Sequence, residues 1–161
     1  MNRKRMQGVY VVEFAIIGLV LFTLLFGVLE MARLYFTVEA LNEVVRRGAR
    51  LAVVCEISRP EILRRAIFNA ATDSGASSLI NNLDTADLNL TYLDQNGAVV
   101  ATPNDGGAGF DSIRYVQISI PNFSFNLLIP GFGAGITLPP FRATLPRESL
   151  GYDGASGVTQ C

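Results

Sequence analysis

Between Phe14 and Leu29 the chain runs for sixteen consecutive residues without a charge, and twelve of them are Leu, Ile, Val or Phe. At roughly −0.3 to −0.6 kcal/mol per residue for insertion into a bilayer, this run contributes about −4 to −7 kcal/mol. That outweighs one flanking acidic residue at about +3 kcal/mol. Such a segment excludes a purely water-soluble fold for the whole chain. It leaves Glu30–Cys161, 132 residues, enough for a small core of its own.

The apolar run does not resemble a cleaved secretory signal, because no small-residue A-x-A site follows it. A helical pattern continues instead. No proline occurs between Glu30 and Val54, and the only glycine there is Gly48. Val38, Leu41, Val45, Gly48, Ala52 and Cys55 recur at alternating spacings of three and four, which is one face of an amphipathic helix. Glu43 and Arg47 stand at i, i+4 on the polar side. The spacing predicts one helix from Val9 to Val54. Its length would be about 69 Å, far more than a bilayer core of about 30 Å. The first half is therefore expected in lipid and the second half against a folded head.

Ser58-Arg59-Pro60-Glu61 has the composition of a helix start, with Ser58 as cap. The apolar face Ile62, Leu63, Ala66, Ile67 and Ala70 carries that helix to Thr72–Gly75. Beyond it the period changes to two. Leu88, Leu90 and Tyr92 (or Leu93) alternate with polar residues, Asn96-Gly97 is a hairpin signal, and Ala98–Ala101 is the expected returning strand. Pro103–Gly109 reads as a loop and Ile113–Ile120 as a third strand, with Ile113, Tyr115 (or Val116), Ile118 and Ile120 on one face. Pro121, Pro130, Gly131, Gly133 and Gly135 punctuate a long connection. Ile136–Leu145 contains a Pro-Pro pair and fits an edge strand at best. The tail from Gly151 is small, polar and expected to be loose. The fold class is thus α+β: a long N-terminal helix, transmembrane then amphipathic, packed on a small antiparallel sheet head with one further short helix.

Composition closes several functional classes. The formal charge of −1 gives a nucleic-acid partner no electrostatic support. Histidine is absent, which removes Ser-His triads and His-ligated metal sites. Serines and carboxylates are present, but no spacing singles out a nucleophile and a base, so the chain is not read as an enzyme. Gly131–Gly135 (GFGAG) lacks the lysine and following helix of a phosphate-binding loop and reads as loop geometry. Asp84, Asp87, Asp94, Asp105 and Asp111 do not match a calcium loop. No cofactor is expected. Cys55 and Cys161 are too far apart in sequence for a CxxC motif. If the region after the apolar run is exported, a Cys55–Cys161 disulfide is the expected state, and two free thiols are the alternative.

Charge counting leaves the membrane orientation open. Arg3, Lys4 and Arg5 form a basic leader, but Arg33, Arg46, Arg47 and Arg50 lie close beyond the other end of the run. The informative arrangement is the leader MNRKRMQG, ending at Gly8, followed directly by VYVVEFA. Cleavage after Gly8 would make Val9 the first residue of the mature chain and Glu13 the fifth. That carboxylate would sit one helical turn inside an apolar segment, where it is expensive and calls for a partner. A free α-amino group on a neighbouring chain would supply one and would set the axial register of bundled helices.

This is the processing pattern of type IV prepilins. More narrowly, the chain resembles the TadE/TadF family of minor pilins, or pseudopilins, of the tight-adherence (Tad, Flp) pilus system. The resemblance begins at Gly8 and VVEFA, runs through LEMARLYF (Leu29–Phe36), and ends in ALNEVVRRGARLAVV (Ala40–Val54). There Arg46, Gly48, Ala49 and Arg50 correspond to the family's A-R-x-G-A-R-like segment. Near the C-terminus, Arg147 and Glu148 agree with an Arg-x-Glu-like ending. Many relatives carry a proline within the run, whereas this chain has none between Glu13 and Arg59, which implies a straighter membrane helix.

The resemblance implies a leader of residues 1–8, a membrane segment of residues 9–29 and a periplasmic head of residues 30–161. Gly8 and Val9 would flank the bond cut by a prepilin peptidase on the cytoplasmic face, and Glu13 and Phe14 would serve assembly. The other implied partners are major and minor pilins, the inner-membrane assembly platform and membrane lipid. The implied location is the bacterial inner membrane, single-pass with a cytoplasmic N-terminus, and the extracellular pilus itself on incorporation. The competing reading is a signal-anchored envelope scaffold that never enters a filament.

Overall fold

In the computed structural model of the chain, one unbroken helix, α1 (Arg3–Val54, 52 residues), carries everything else. The structure describes residues 3–105, 107–128, 135–152, 157 and 161. The helix starts at Arg3, earlier than the expected Val9. Nothing between them breaks a helix: a glycine in a helix interior, such as Gly8, costs only about 1 kcal/mol relative to alanine. Up to Leu29 the large apolar side chains of α1 are exposed. From Ala40 onward one stripe turns inward, with Leu41, Val44, Val45, Ala49, Ala52 and Val53 buried. That is the face the spacing predicts. The expected Glu43–Arg47 pair does not form; the Arg47 guanidinium lies over the Phe68 ring instead, 5.4 Å from its centre.

A three-stranded antiparallel sheet packs on that stripe. Its strands are β1 (Asn89–Leu93), β2 (Tyr115–Ile120) and β5 (Phe141–Pro146), in the order β1-β2-β5. Leu90 pairs with Ile118 and Tyr92 with Val116; on the other side Ile118 pairs with Ala143 and Ile120 with Phe141. In β2 the buried phase is Val116, Ile118 and Ile120, while Tyr115 points outward. The outer face is polar, and Gln117 Nε2 donates to Thr144 Oγ1 across it at 2.8 Å. A second, two-stranded sheet pairs β3 (Phe123–Phe125) with β4 (Ile136–Leu138), placing Phe123 opposite Leu138.

Several expectations are corrected. Asn96-Gly97 does turn the chain, with Gly97 at φ 78°, and the Asp94 carboxylate accepts from Asn96 N and Ala98 N. The returning stretch Ala98–Ala101 makes only an isolated bridge, Val99 to Leu93, on the outer edge of β1, and the full-length partner of β1 is β2. Ile136–Leu145 is not one edge strand. Pro139-Pro140 splits it, and the halves join different sheets; β5 is the edge of the larger. Phe123–Phe125, expected inside a connection, is β3. Pro130, Gly131 and Gly133 lie outside the described residues. Within the expected Pro103–Gly109 loop a one-turn helix begins, α3 (Ala108–Ser112), and a 3-10 turn covers Thr85–Asp87, so the short helices are more numerous than expected.

The helix α2 is Pro60–Ala66, shorter than expected. Ser58 is not its cap. It sits at φ 58° and donates its backbone N–H to Tyr92 Oη at 3.0 Å. Burial raises the Tyr92 phenol above its ordinary pKa. The helix stops where Phe68 takes φ 68° and the N–H groups of Phe68 and Asn69 turn back to the carbonyls of Arg65 (3.3 Å) and Arg64 (3.1 Å), closing its last turn. Asn69, buried, is then the hub of the following loop. Its Nδ2 donates to the carbonyls of Ser74 (3.0 Å) and Ala76 (2.7 Å), and its Oδ1 accepts from Ser78 N (3.2 Å).

The end of the chain is not loose at its start. The last turn of a helix leaves carbonyls without intrahelical donors. Here Leu150 N and Ser149 Oγ donate to Val53 O (3.0 Å) and Val54 O (3.2 Å), and Gly151 N donates to Val54 O at 2.9 Å. Gly151, at φ 88°, lies so close to Glu56 that a Cβ would stand 2.6 Å from the Glu56 Cα. Cys55 and Cys161 are disulfide-bonded, with Cα atoms 5.7 Å apart. Residues 153–156 and 158–160 lie outside the described residues.

Gly48 permits the closest approach of α1 to the head. A Cβ there would stand 2.7 Å from Ile118 Cδ1 and 2.9 Å from Ala66 Cβ. Gly48→Val should therefore destabilise the head by about 2 kcal/mol or more, since overpacking exceeds the propensity gained by removing a glycine. Thermal unfolding of the detergent-solubilised protein checks this; an unchanged midpoint would show that helix and sheet can separate freely.

Candidate functional site: the membrane helix and its junction with the head

The sequence-predicted residues fall at separate places along α1. Gly8, Val9, Glu13 and Phe14 occupy its first turns. No atom lies within 4 Å of a Cβ built on Gly8, and Phe14 is 78% exposed. Val9 and Glu13 are i, i+4 on one face. Glu13 is exposed, and no described side chain pairs with it. Farther along, the motif residues divide in two. Gly48 and Ala49 face the core, whereas Arg46 and Arg50 point to the surface. Cys55 lies about 70 Å along the helix axis from Gly8 at 1.5 Å per residue. The structure brings Cys55 to Cys161 but does not gather the other predicted residues into one site.

The acidic residues named in the sequence act locally on backbone. Asp84 and Asp87 cap each other's backbone N–H across the 3-10 turn. Asp105 accepts from Gly107 N (3.0 Å), Gly109 N (3.2 Å) and Phe110 N (3.3 Å). These bonds, led by that from Gly107, hold its carboxyl below the ordinary pKa. Among the described residues, no cluster of three or more Cys, Asp or Glu could hold a metal ion. Arg147 lies 4.3 Å over the Phe110 ring and donates to Phe110 O at 2.8 Å, fixing α3, while Glu148 is exposed.

The feature that sequence reasoning missed is Glu30. It appeared only as the charge ending the apolar run, yet the structure buries it to 7% exposure. Arg33 Nη1 donates to both of its oxygens, at 2.7 and 2.9 Å. The backbone N–H of Leu128, 98 residues later, donates to Oε1 at 3.0 Å. The Arg33 guanidinium in turn lies 5.2 Å over the ring of Phe125 in β3. The charge pair thus clamps the segment following β3 to the helix at the end of the apolar run. The i, i+3 spacing of Glu30 and Arg33 was legible; the partner at Leu128 was not.

The family model for TadE-like proteins matches residues 8–50, from the candidate cleavage glycine to Arg50. Over that segment, 43 of the 161 residues, the chain is similar to TadE-like proteins. No curated protein and no solved structure matches the chain. The TadE-like segment coincides with α1 almost to its end, so it contains both the apolar anchor and the stripe on which the head is built. Among the described residues α1 is the one helix long and apolar enough to cross a membrane, and its most apolar window has no part buried in the structure. These properties are consistent with a membrane anchor.

Glu30→Ala should leave the Leu128 amide and the Arg33 guanidinium without their acceptor, at a cost of about 1–3 kcal/mol. Amide hydrogen exchange should quicken at Leu128 and in β3 while β2 is unchanged, and Glu30→Gln, which keeps an acceptor, should lie between. Equal protection at Leu128 in all three proteins would remove the clamp.

Proposed function

We propose that the protein is a minor pilin or pseudopilin of a Tad/Flp-type pilus, processed after Gly8 and assisting assembly of the filament. The observation that carries the reading is the TadE-like match over residues 8–50, set beside a carboxylate, Glu13, exposed inside an apolar helix. In this reading residues 1–8 are the leader and residues 9–29 span the inner membrane. Residues 30–161 form the periplasmic head, and Arg46 and Arg50 present a basic stripe at its surface. A Cys55–Cys161 disulfide suits an oxidising compartment. The partners are the prepilin peptidase, major and minor pilins, the inner-membrane assembly platform and membrane lipid; no nucleic acid is involved. The role is structural, not enzymatic.

The mechanism follows from charge in a low-dielectric medium. Cleavage creates an α-amino group at Val9, about 6 Å along the axis from Glu13. An unpaired carboxylate in lipid is costly and a partnered one much less so. A neighbouring chain displaced along the bundle can present its amino group to Glu13 better than the same chain can. Apolar helices alone slide; the charge pair fixes their stagger.

The purified protein should begin at Val9, read by intact mass and N-terminal sequencing, and Gly8→Val should leave it uncut because a peptidase must fit the residue before the bond. Native protein beginning at Met1 supports the signal-anchored scaffold instead.

Glu13→Ala should insert and be cleaved as before, since the change removes a cost and lies five residues past the bond. Co-purification with other pilins, and piliation, should be lost. Normal piliation by Glu13→Ala would show that the carboxylate only reaches the interface.

A further inference from the structure

The surface beside Glu30 is a groove of about 800 Å³. One wall is the end of the apolar run and the turns just above it, Phe26, Leu29, Arg33 and Phe36; the other is formed by Leu79 and Leu128 of the head. Two head loops therefore reach down to the height of Phe26 and Leu29. Leu128 is 69% and Leu79 49% exposed, and each has a backbone anchor: Leu128 N is held by Glu30, and the 77–80 turn is held by Ser77 Oγ, which accepts from Leu79 N and Ile80 N. The apolar surface is continuous, since Phe22, Phe26, Leu29 and Phe36 are each more than half exposed. Two large aliphatic side chains, each with a held backbone N–H, thus stand beside the end of the apolar run of α1.

We propose that the head rests on the bilayer, with Leu79 and Leu128 in the interfacial layer and a phospholipid acyl chain lying in the groove between them and α1. The occupant follows from continuity: the groove opens directly from the surface that the span presents to lipid, so the chains already packed against Phe22 and Phe26 extend into it. The polar fittings are at the right height for that occupant. The Glu30 carboxylate is already covered and paired, so an acyl chain in the groove strips no water from an unpaired charge. The Arg33 side chain remains 38% exposed at the rim, where the ester and phosphate groups lie. The inference rests on α1 spanning a bilayer and is independent of the pilus role.

The chain contains no tryptophan, so a single introduced one is an unambiguous probe. Full-length Leu128→Trp and Leu79→Trp proteins would be reconstituted in phosphatidylethanolamine–phosphatidylglycerol vesicles containing brominated phospholipid. Phe22→Trp, inside the span, reports insertion. Val99→Trp, 65% exposed and close to the far end of the head, reports the aqueous limit. With Phe22→Trp quenched, the expected result is blue-shifted emission from both leucine positions and loss of most of it to bromolipid. Lipid brominated near the headgroup end should quench them more strongly than lipid brominated near the chain end. Emission like that of Val99→Trp would overturn the proposal by placing the head clear of the bilayer. Blue-shifted emission that bromolipid does not quench, and that depends on the protein-to-lipid ratio, would overturn it in favour of a second copy of the chain in the groove. An unquenched Phe22→Trp would instead refute the membrane span itself.

Discussion

One helix is apolar all round along one stretch and one-sided along another, and the head is arranged around the point where the two meet. Between Phe14 and Leu29, α1 is apolar on all sides, and its backbone groups are bonded within the helix, which is what a bilayer demands. Above Ala40 it is one-sided, with a narrow buried stripe in which Ala40, Gly48, Ala49 and Ala52 are small. A stripe of small residues lets a sheet approach closely, and Ile118 comes within reach of the Gly48 backbone because no side chain stands there. Between the two regimes lies Glu30. A carboxylate at that position could end the apolar run by staying hydrated. Here it is buried and paired, so the transition is made by folded structure rather than by water.

The head is held to α1 at both ends of its own half of the helix, each time by residues from late in the chain. At the lower end Leu128 donates to Glu30; at the upper end Leu150, Ser149 and Gly151 donate to the last carbonyls, and Cys161 is bonded to Cys55. The sequence separations are large, 98 residues from Glu30 to Leu128 and 106 between the cysteines. Closing loops of that length has an entropic cost, and a cross-link between distant residues removes part of it from the unfolded state. A helix clamped at two heights cannot pivot against its head. A displacement of α1 along its axis is therefore transmitted to the head as a whole.

What the sequence made legible follows periodicity. The buried stripe of α1 and the inward Ile118 and Ile120 of β2 come from spacing that the solvent boundary imposes, whereas the choice between Tyr115 and Val116 stayed open until the structure placed Val116 inside. The failures share a different cause: a polar side chain bonded to backbone outside its own element. Asn69 holds the loop after α2 by capturing two carbonyls, Tyr92 takes the amide of Ser58, and Glu30 takes the amide of Leu128. No local pattern announces such partners. Pro139-Pro140 was correctly seen as hostile to a strand, but whether it would mark an edge or divide two sheets depended on where β3 lay, and three residues of alternating Phe-Ser-Phe are too short to declare themselves. At the candidate site, Gly8 and Glu13 were singled out by chemistry local to one turn of helix, and their roles rest on the proposal.

The two glutamates of α1 that bracket the apolar run make the last step. They are 17 residues apart on one helix and differ in what the fold does for them. Glu30 obtains a cation three residues on, a backbone donor from the head and cover from solvent, all within one chain. Glu13 is followed by Phe14, Ala15, Ile16 and Ile17, which offer no donor, and folding of the head brings nothing down to it. The chain thus supplies Glu30 with its partners, whereas no described side chain pairs with Glu13. Under the proposed reading, in which α1 spans a bilayer, a neighbouring chain provides that partner, because an unpaired carboxylate in lipid is costly. One acidic residue of the helix then closes the monomer, and the proposal assigns the other to association.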